Sequence, residues 1–99
     1  MRVLVKAQIP VEAGNRAIKD GSLPKALQSF IEQHHPEAAY FYPEHGKRTA
    51  LFVLELSSES ELVTMSEPLF TGAGADLEVT PVMNADDLQA GLGQIAGGG

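Results

Sequence analysis

Lys6, Gln8, Tyr40, Tyr42 and Glu55 are the residues of this chain whose types and spacing can do chemistry together. Lys6 and Gln8 are two positions apart, as are Tyr40 and Tyr42, and residues two apart on an extended strand share a face. An ammonium, an amide, two phenols and a carboxylate on one sheet face can line a cleft for a small molecule. A phenol or carboxylate there can also serve as a general acid or base if burial shifts its pKa. Lys6 and Glu55 are expected to pair across neighbouring strands. The competing role is structural, because tyrosine is enriched in protein interfaces that do no catalysis.

Other candidates are weaker. Arg48 falls on an otherwise apolar strand face, where it can reach an anionic ligand, pair with Glu67, or snorkel its charge to solvent. Asn15 and Arg16, beside Gly14, suit a capping role better than an anion site. His34, His35 and His45 are the only histidines. The first two are adjacent on a helix and diverge by about 100°, and the third lies in a turn, so no metal site is expected. Gly72-Ala73-Gly74 lacks the lysine and the length of a phosphate loop. No Ser-His-acid arrangement can be argued from spacing, and no cofactor is called for.

The chain has 99 residues, enough for one domain over 1–99 with a flexible tail at 97–99. A hydrophobic fraction of 43% is ordinary for a globular core and too high for a disordered chain. The net charge of -6 argues against sequence-independent binding of nucleic acid and against docking on anionic lipid. Cysteine is absent, so disulfides, thiolate catalysis and cysteine-ligated metals are excluded. Met1 to Lys6 lacks the apolar centre of a signal peptide, and no apolar run approaches membrane-spanning length. A cytoplasmic, soluble protein is expected.

The elements that must position these residues follow from periodicity. Arg2 to Ile9 alternates as a strand with Val3, Val5, Ala7 and Ile9 on its apolar side. Val11 to Asp20 reads as a short helix or helical turn closed by Gly21. Ser22 is expected to cap a longer helix to His35, which Pro36 stops. Ala38 to Leu56 reads as a hairpin whose loop is Pro43 to Gly46. That loop sets Tyr42 opposite Lys47, Phe41 opposite Arg48 and Tyr40 opposite Thr49. Ser58 and Glu61 have capping-box spacing before a second helix, with Pro68 near its end and a flexible Thr71 to Gly74 connection. Ala75 to Val82 alternates again, and Pro81 favours a sheet edge. Asn84, with Asp87, caps a last short helix bearing Leu88, Leu92 and Ile95.

The order is β-α-β-β-α-β plus a C-terminal helix, an α+β ferredoxin-like fold with a four-stranded antiparallel sheet. The first and third strands are expected to be central neighbours, with helices on one face. The other face then carries Leu4, Lys6, Gln8, Tyr40, Tyr42, Leu51, Val53, Glu55, Glu78, Thr80 and Val82. A mixed face of that extent suggests an interface, and two such faces stacked on a two-fold axis close a barrel.

This element order and open face resemble the dimeric α+β barrel superfamily, which includes cofactor-free monooxygenases of antibiotic biosynthesis and muconolactone isomerase-like proteins. Within it, Lys6-Ala7-Gln8-Ile9-Pro10-Val11-Glu12-Ala13-Gly14-Asn15, Pro36-Glu37-Ala38-Ala39-Tyr40-Phe41, Gly46-Lys47-Arg48, Glu67-Pro68-Leu69-Phe70 and Thr80-Pro81-Val82-Met83 resemble a small bacterial family of unknown function. The resemblance covers most of the chain and implies the fold and a homodimer through the open sheet face, but no substrate. The expected function is a homodimer that binds a small apolar or aromatic molecule. A cofactor-independent monooxygenase or isomerase is the alternative the resemblance implies. A structural or regulatory interaction module is the third.

Overall fold

The computed structural model describes residues 1–97. Its elements are β1 (Arg2–Ile9), α1 (Val11–Asp20), α2 (Ser22–His34), β2 (Ala38–Glu44), β3 (Lys47–Glu55), α3 (Glu61–Ala73), β4 (Asp76–Pro81) and α4 (Ala85–Ala96). The sheet order is β2-β3-β1-β4 and every pairing is antiparallel. The first and third strands are the central neighbours that the sequence pattern requires. This is the ferredoxin-like α+β fold, with an additional helix at the C-terminal end.

Period-two alternation places the core. Val3, Val5, Ala7 and Ile9 are buried while their neighbours in β1 are not. They pair in register with Leu54, Phe52, Ala50 and Arg48 of β3. Phe30 of α2 and Met65 and Leu69 of α3 close over this face, and the Phe30 and Phe52 rings stand 4.5 Å apart. Pro43 and Pro81 lie on the two edge strands, where a missing N–H costs no ladder hydrogen bond.

The hairpin turn differs from expectation. His45 and Gly46 alone form the loop, with φ of 53° and 76°. Two successive left-handed residues define the type I′ turn, whose twist matches the strands it joins. Pairing therefore moves by two residues. Tyr42 faces Thr49, Phe41 faces Ala50 and Tyr40 faces Leu51. Two is also the side-chain period, so no residue changes face.

Helix ends differ as well. Gly21, at φ 81°, closes α1 after Asp20 as expected, and it is also the N-cap of α2. Ser22 is inside α2 instead of capping it, and its N–H donates to Asp20 Oδ1 at 2.8 Å. His35 is the left-handed residue that closes α2. At α3 the N-cap is Ser60, which makes no side-chain cap hydrogen bond, so the expected Ser58–Glu61 box does not form and Glu61 instead accepts the Ser57 N–H at 3.1 Å. The helix then runs through Pro68 and Thr71 to Ala73, where Gly74 caps it, and the flexible connection shrinks accordingly.

α4 begins as expected, with Asn84 Oδ1 accepting Asp87 N–H at 2.8 Å and Asp87 Oδ2 accepting Asn84 N–H at 3.0 Å. It then extends from the sheet with none of its residues buried. Leu88, Leu92 and Ile95 are all exposed. The radius of gyration is 16.0 Å, against about 13 Å for a compact chain of this length. Gly97 closes α4 on Gly93, while residues 98 and 99 of the expected tail lie outside the described residues. No helix is long and apolar enough to cross a membrane among the described residues.

Candidate functional site

Three of the candidate residues, Lys6, Gln8 and Tyr42, gather at the end of the sheet where β1 finishes and the hairpin turns. On the open face, Lys6 Nζ stands 3.2 Å from Glu44 Oε2. The Tyr42 hydroxyl donates to Glu44 Oε1 at 3.2 Å. Gln8 Nε2 donates to the Glu44 carbonyl at 3.1 Å. Thr49, a buried polar residue that pairs in register with Gln8 and Tyr42, donates to the Lys47 carbonyl at 3.1 Å.

Lys6 therefore pairs with Glu44 and not with Glu55. In register Lys6 faces Leu51, and Glu55 faces Arg2, four residues or roughly 13 Å farther along the strand. Glu55 instead holds the Met1 amino group at 2.7 Å. Glu44 is the residue that sequence reasoning missed. A four-residue loop makes it a turn residue, whereas the two-residue His45-Gly46 turn keeps it in β2 on the face of Tyr40 and Tyr42. Tyr40 is on that face too, 64% exposed and clear of the cluster.

The charges settle into one arrangement. The hydrogen bond from Lys6 holds Glu44 below the usual carboxylate range. The same bond holds Lys6 above its usual value. Desolvation, then the Glu44 charge, pushes the Tyr42 phenol up. At neutral pH the cluster is an ammonium, a carboxylate and a neutral phenol. Each pKa is moved away from neutral pH, the reverse of what a general acid or base at pH 7 needs.

A second feature lies on the helix side of the same sheet end. Ile9, Ile18, Leu23, Pro24, Leu27 and Phe41 line a hollow of about 500 Å³, open to solvent between the α1–α2 junction and the hairpin. Arg48 crosses its wall and donates from Nη1 to Asn15 Oδ1 at 3.1 Å. It does not meet Glu67, which makes no ion pair among the described residues. The volume falls within the range of small-molecule pockets, and a mostly apolar wall with few polar groups is their usual composition.

The opposite end of the sheet has a roomier hollow of about 740 Å³, framed by Met1, Arg2, Glu37, Glu55, Asn84 and Asp87. Its charges are already spent on each other. Arg2 pairs with Glu37 and, at 3.3 Å, with Asp87. That makes it a less apt ligand site than the apolar hollow.

The histidines are dispersed. His34 packs its ring 4.8 Å from that of Phe30, with Nε2 buried and unpartnered, and desolvation lowers its pKa. His35 caps α2, and His45 turns the hairpin. No group of three His, Cys, Asp or Glu that could hold a metal occurs among the described residues.

No family model and no curated protein matches the chain. Solved structures do. It is similar to 5-chloro-2-hydroxyhydroquinone dehydrochlorinase (TftG) from Burkholderia phenoliruptrix AC1100 in complex with 2,5-dihydroxybenzoquinone. That match has a TM-score of 0.66 at 14% identity and covers 88% of this chain and 98% of that one. It is also similar to the de novo designed protein Ferredog-Diesel, with a TM-score of 0.52 at 16% identity over 82% of this chain and 85% of the other. At such identities the likeness is one of backbone. With the sheet order and helix placement, it identifies the chain's fold as the ferredoxin-like α+β fold.

Proposed function

We propose that the chain is a homodimeric binding protein whose ligand is a small apolar or aromatic molecule, held in the hollow between the α1–α2 junction and the hairpin. The observation that carries this reading is the apolar wall of Ile9, Ile18, Leu23, Leu27 and Phe41 around about 500 Å³. A hollow of that size suits one or two rings. The likeness to a protein solved with a quinone supports the same ligand class.

The open face is the surface through which two copies associate, and Lys6, Gln8, Tyr40, Tyr42 and Glu55 belong to that surface. Four strands at ~4.8 Å spacing, each about seven residues at ~3.3 Å, make a face of roughly 450 Å². Two such faces stacked cover about 900 Å², short of the ~1,600 Å² of a standard stable interface. The exposed apolar stripe of α4 supplies the remainder. A helix of 12 residues is ~18 Å long and ~10 Å wide, so it covers roughly 180 Å² of a partner. Two such helices, with the surfaces they cover, bring the total to about 1,600 Å². Arg2, at an open-face position of β1, pairs with Asp87 in the first turn of α4, which ties the start of the helix to that face.

A second reading, a cofactor-independent enzyme, is favoured by the likeness to a dehydrochlorinase. The charge arrangement of Lys6, Tyr42 and Glu44 speaks for binding over proton transfer at neutral pH.

The test is a titration of methyl-labelled protein with 4-tert-butylbenzamide, followed by NMR. The reading predicts shifts in the methyls of Ile9, Ile18 and Leu27. Shifts confined to Leu4, Leu51 and Val53 would move the site to the open face and contradict it.

A further inference from the structure

The hollow described above has one charged side chain in its wall, Arg48. The chain carries 13 Asp and Glu against 7 Lys and Arg, so acids are in surplus. Yet no carboxylate reaches Arg48 among the described residues, and its hydrogen-bond partner is the neutral Asn15 amide at 3.1 Å. Asn15 fixes the direction of the guanidinium without neutralising it.

The approach is made possible by Gly14. A β-carbon there would lie 2.7 Å from Arg48 Nη1 and 3.3 Å from Ile9 Cγ2. The glycine thus lets a cation lie flat against α1 at the margin of an apolar hollow. A guanidinium offers a planar, forked set of donors that matches a carboxylate, and it stays charged at every relevant pH.

Resting on the reading of the hollow as a ligand site, we propose that its ligand is an amphipathic monoanion. The apolar or aromatic body lies against Ile9, Leu23, Leu27 and Phe41, and a carboxylate or phenolate oxygen meets Arg48. The chain's net charge of -6 repels anions in general. A preference for an anion over its neutral analogue must therefore be local to this arginine.

Two probes of nearly equal shape separate the claims, 4-tert-butylbenzoate and 4-tert-butylbenzamide, titrated by methyl NMR at pH 7.5. The expected result is binding of both at the Ile9 and Leu27 methyls, with the benzoate at least about tenfold tighter. Arg48→Gln should bring the benzoate down to the level of the amide, with methyl shifts of the Phe30–Phe52 core unchanged as proof of folding. Arg48→Lys should recover part of the preference. Equal affinity of the two probes in the wild-type chain overturns the anion preference and leaves the apolar site standing. Failure of both probes to shift these methyls overturns both.

Discussion

The guanidinium of Arg48 fills the space that a β-carbon on residue 14 would need, with 2.7 Å between Nη1 and that position. The glycine of α1 and the arginine of β3 are therefore one feature. Arg48 is the flexible partner, so Gly14→Ala should displace it from Asn15 and leave the backbone in place. Alanine gains about 1 kcal/mol of helix propensity, and crowding of Ile9 works against that gain. Stability should change by less than ~1 kcal/mol. Affinity for 4-tert-butylbenzoate should fall several-fold. Urea unfolding and the NMR titration check the two halves, and undiminished benzoate binding would separate Gly14 from the site.

His34 gives a pH dependence whose sign follows from its burial. Desolvation against Phe30 lowers its pKa in the folded chain, with Glu61 opposing and His35 assisting. The unfolded chain then holds more protons between that lowered value and ~6.5, so stability rises with pH across this window. The contribution is full above ~6.5 and declines as pH drops below it. His34→Leu should flatten the fall in Tm between pH 7.5 and 5.5. An unchanged fall would assign it to other groups.

Tyr40 is exposed on the open face, and its hydroxyl takes no part in the side-chain hydrogen bonds of the described residues. If it anchors the stacked sheets, Tyr40→Ala weakens the dimer by about 1 kcal/mol or more. Sedimentation equilibrium reads this as a rise of at least about fivefold in the dissociation constant. No rise would remove Tyr40 from the interface.

Leu92 tests the α4 contribution separately. It is 50% exposed on a helix that buries none of its residues. Leu92→Glu should leave unfolding of the monomer within about 0.5 kcal/mol of wild type. The same substitution should loosen the dimer. A dimer as tight as wild type would mean that α4 is no part of the association.

Much of the fold was legible because it is written in period two. The alternation of Val3, Val5, Ala7 and Ile9, the central place of β1 and β3, and the face of every hairpin residue follow from it. The Asn84–Asp87 capping box was legible as a local hydrogen-bonding pattern. The turn was not, because Pro43 and Gly46 both carry turn chemistry and only one can bound the loop. Choosing the two-residue turn would have exposed Glu44 as the partner of Lys6. The apolar hollow was invisible for a different reason. It depends on how far α1 and α2 splay at Gly21, a matter of packing geometry that no residue spacing encodes. Arg48 was legible as an odd cation on an apolar face, but its approach to Gly14 needed three dimensions.

Native mass spectrometry of the protein as purified from cells tests the central claim most directly, since subunit count and retained ligand are read together. The account predicts a dimer, with added mass matching one small molecule per chain wherever the ligand survives purification. A monomer at micromolar concentration would contradict it, because the open face and the α4 stripe would then meet no second copy.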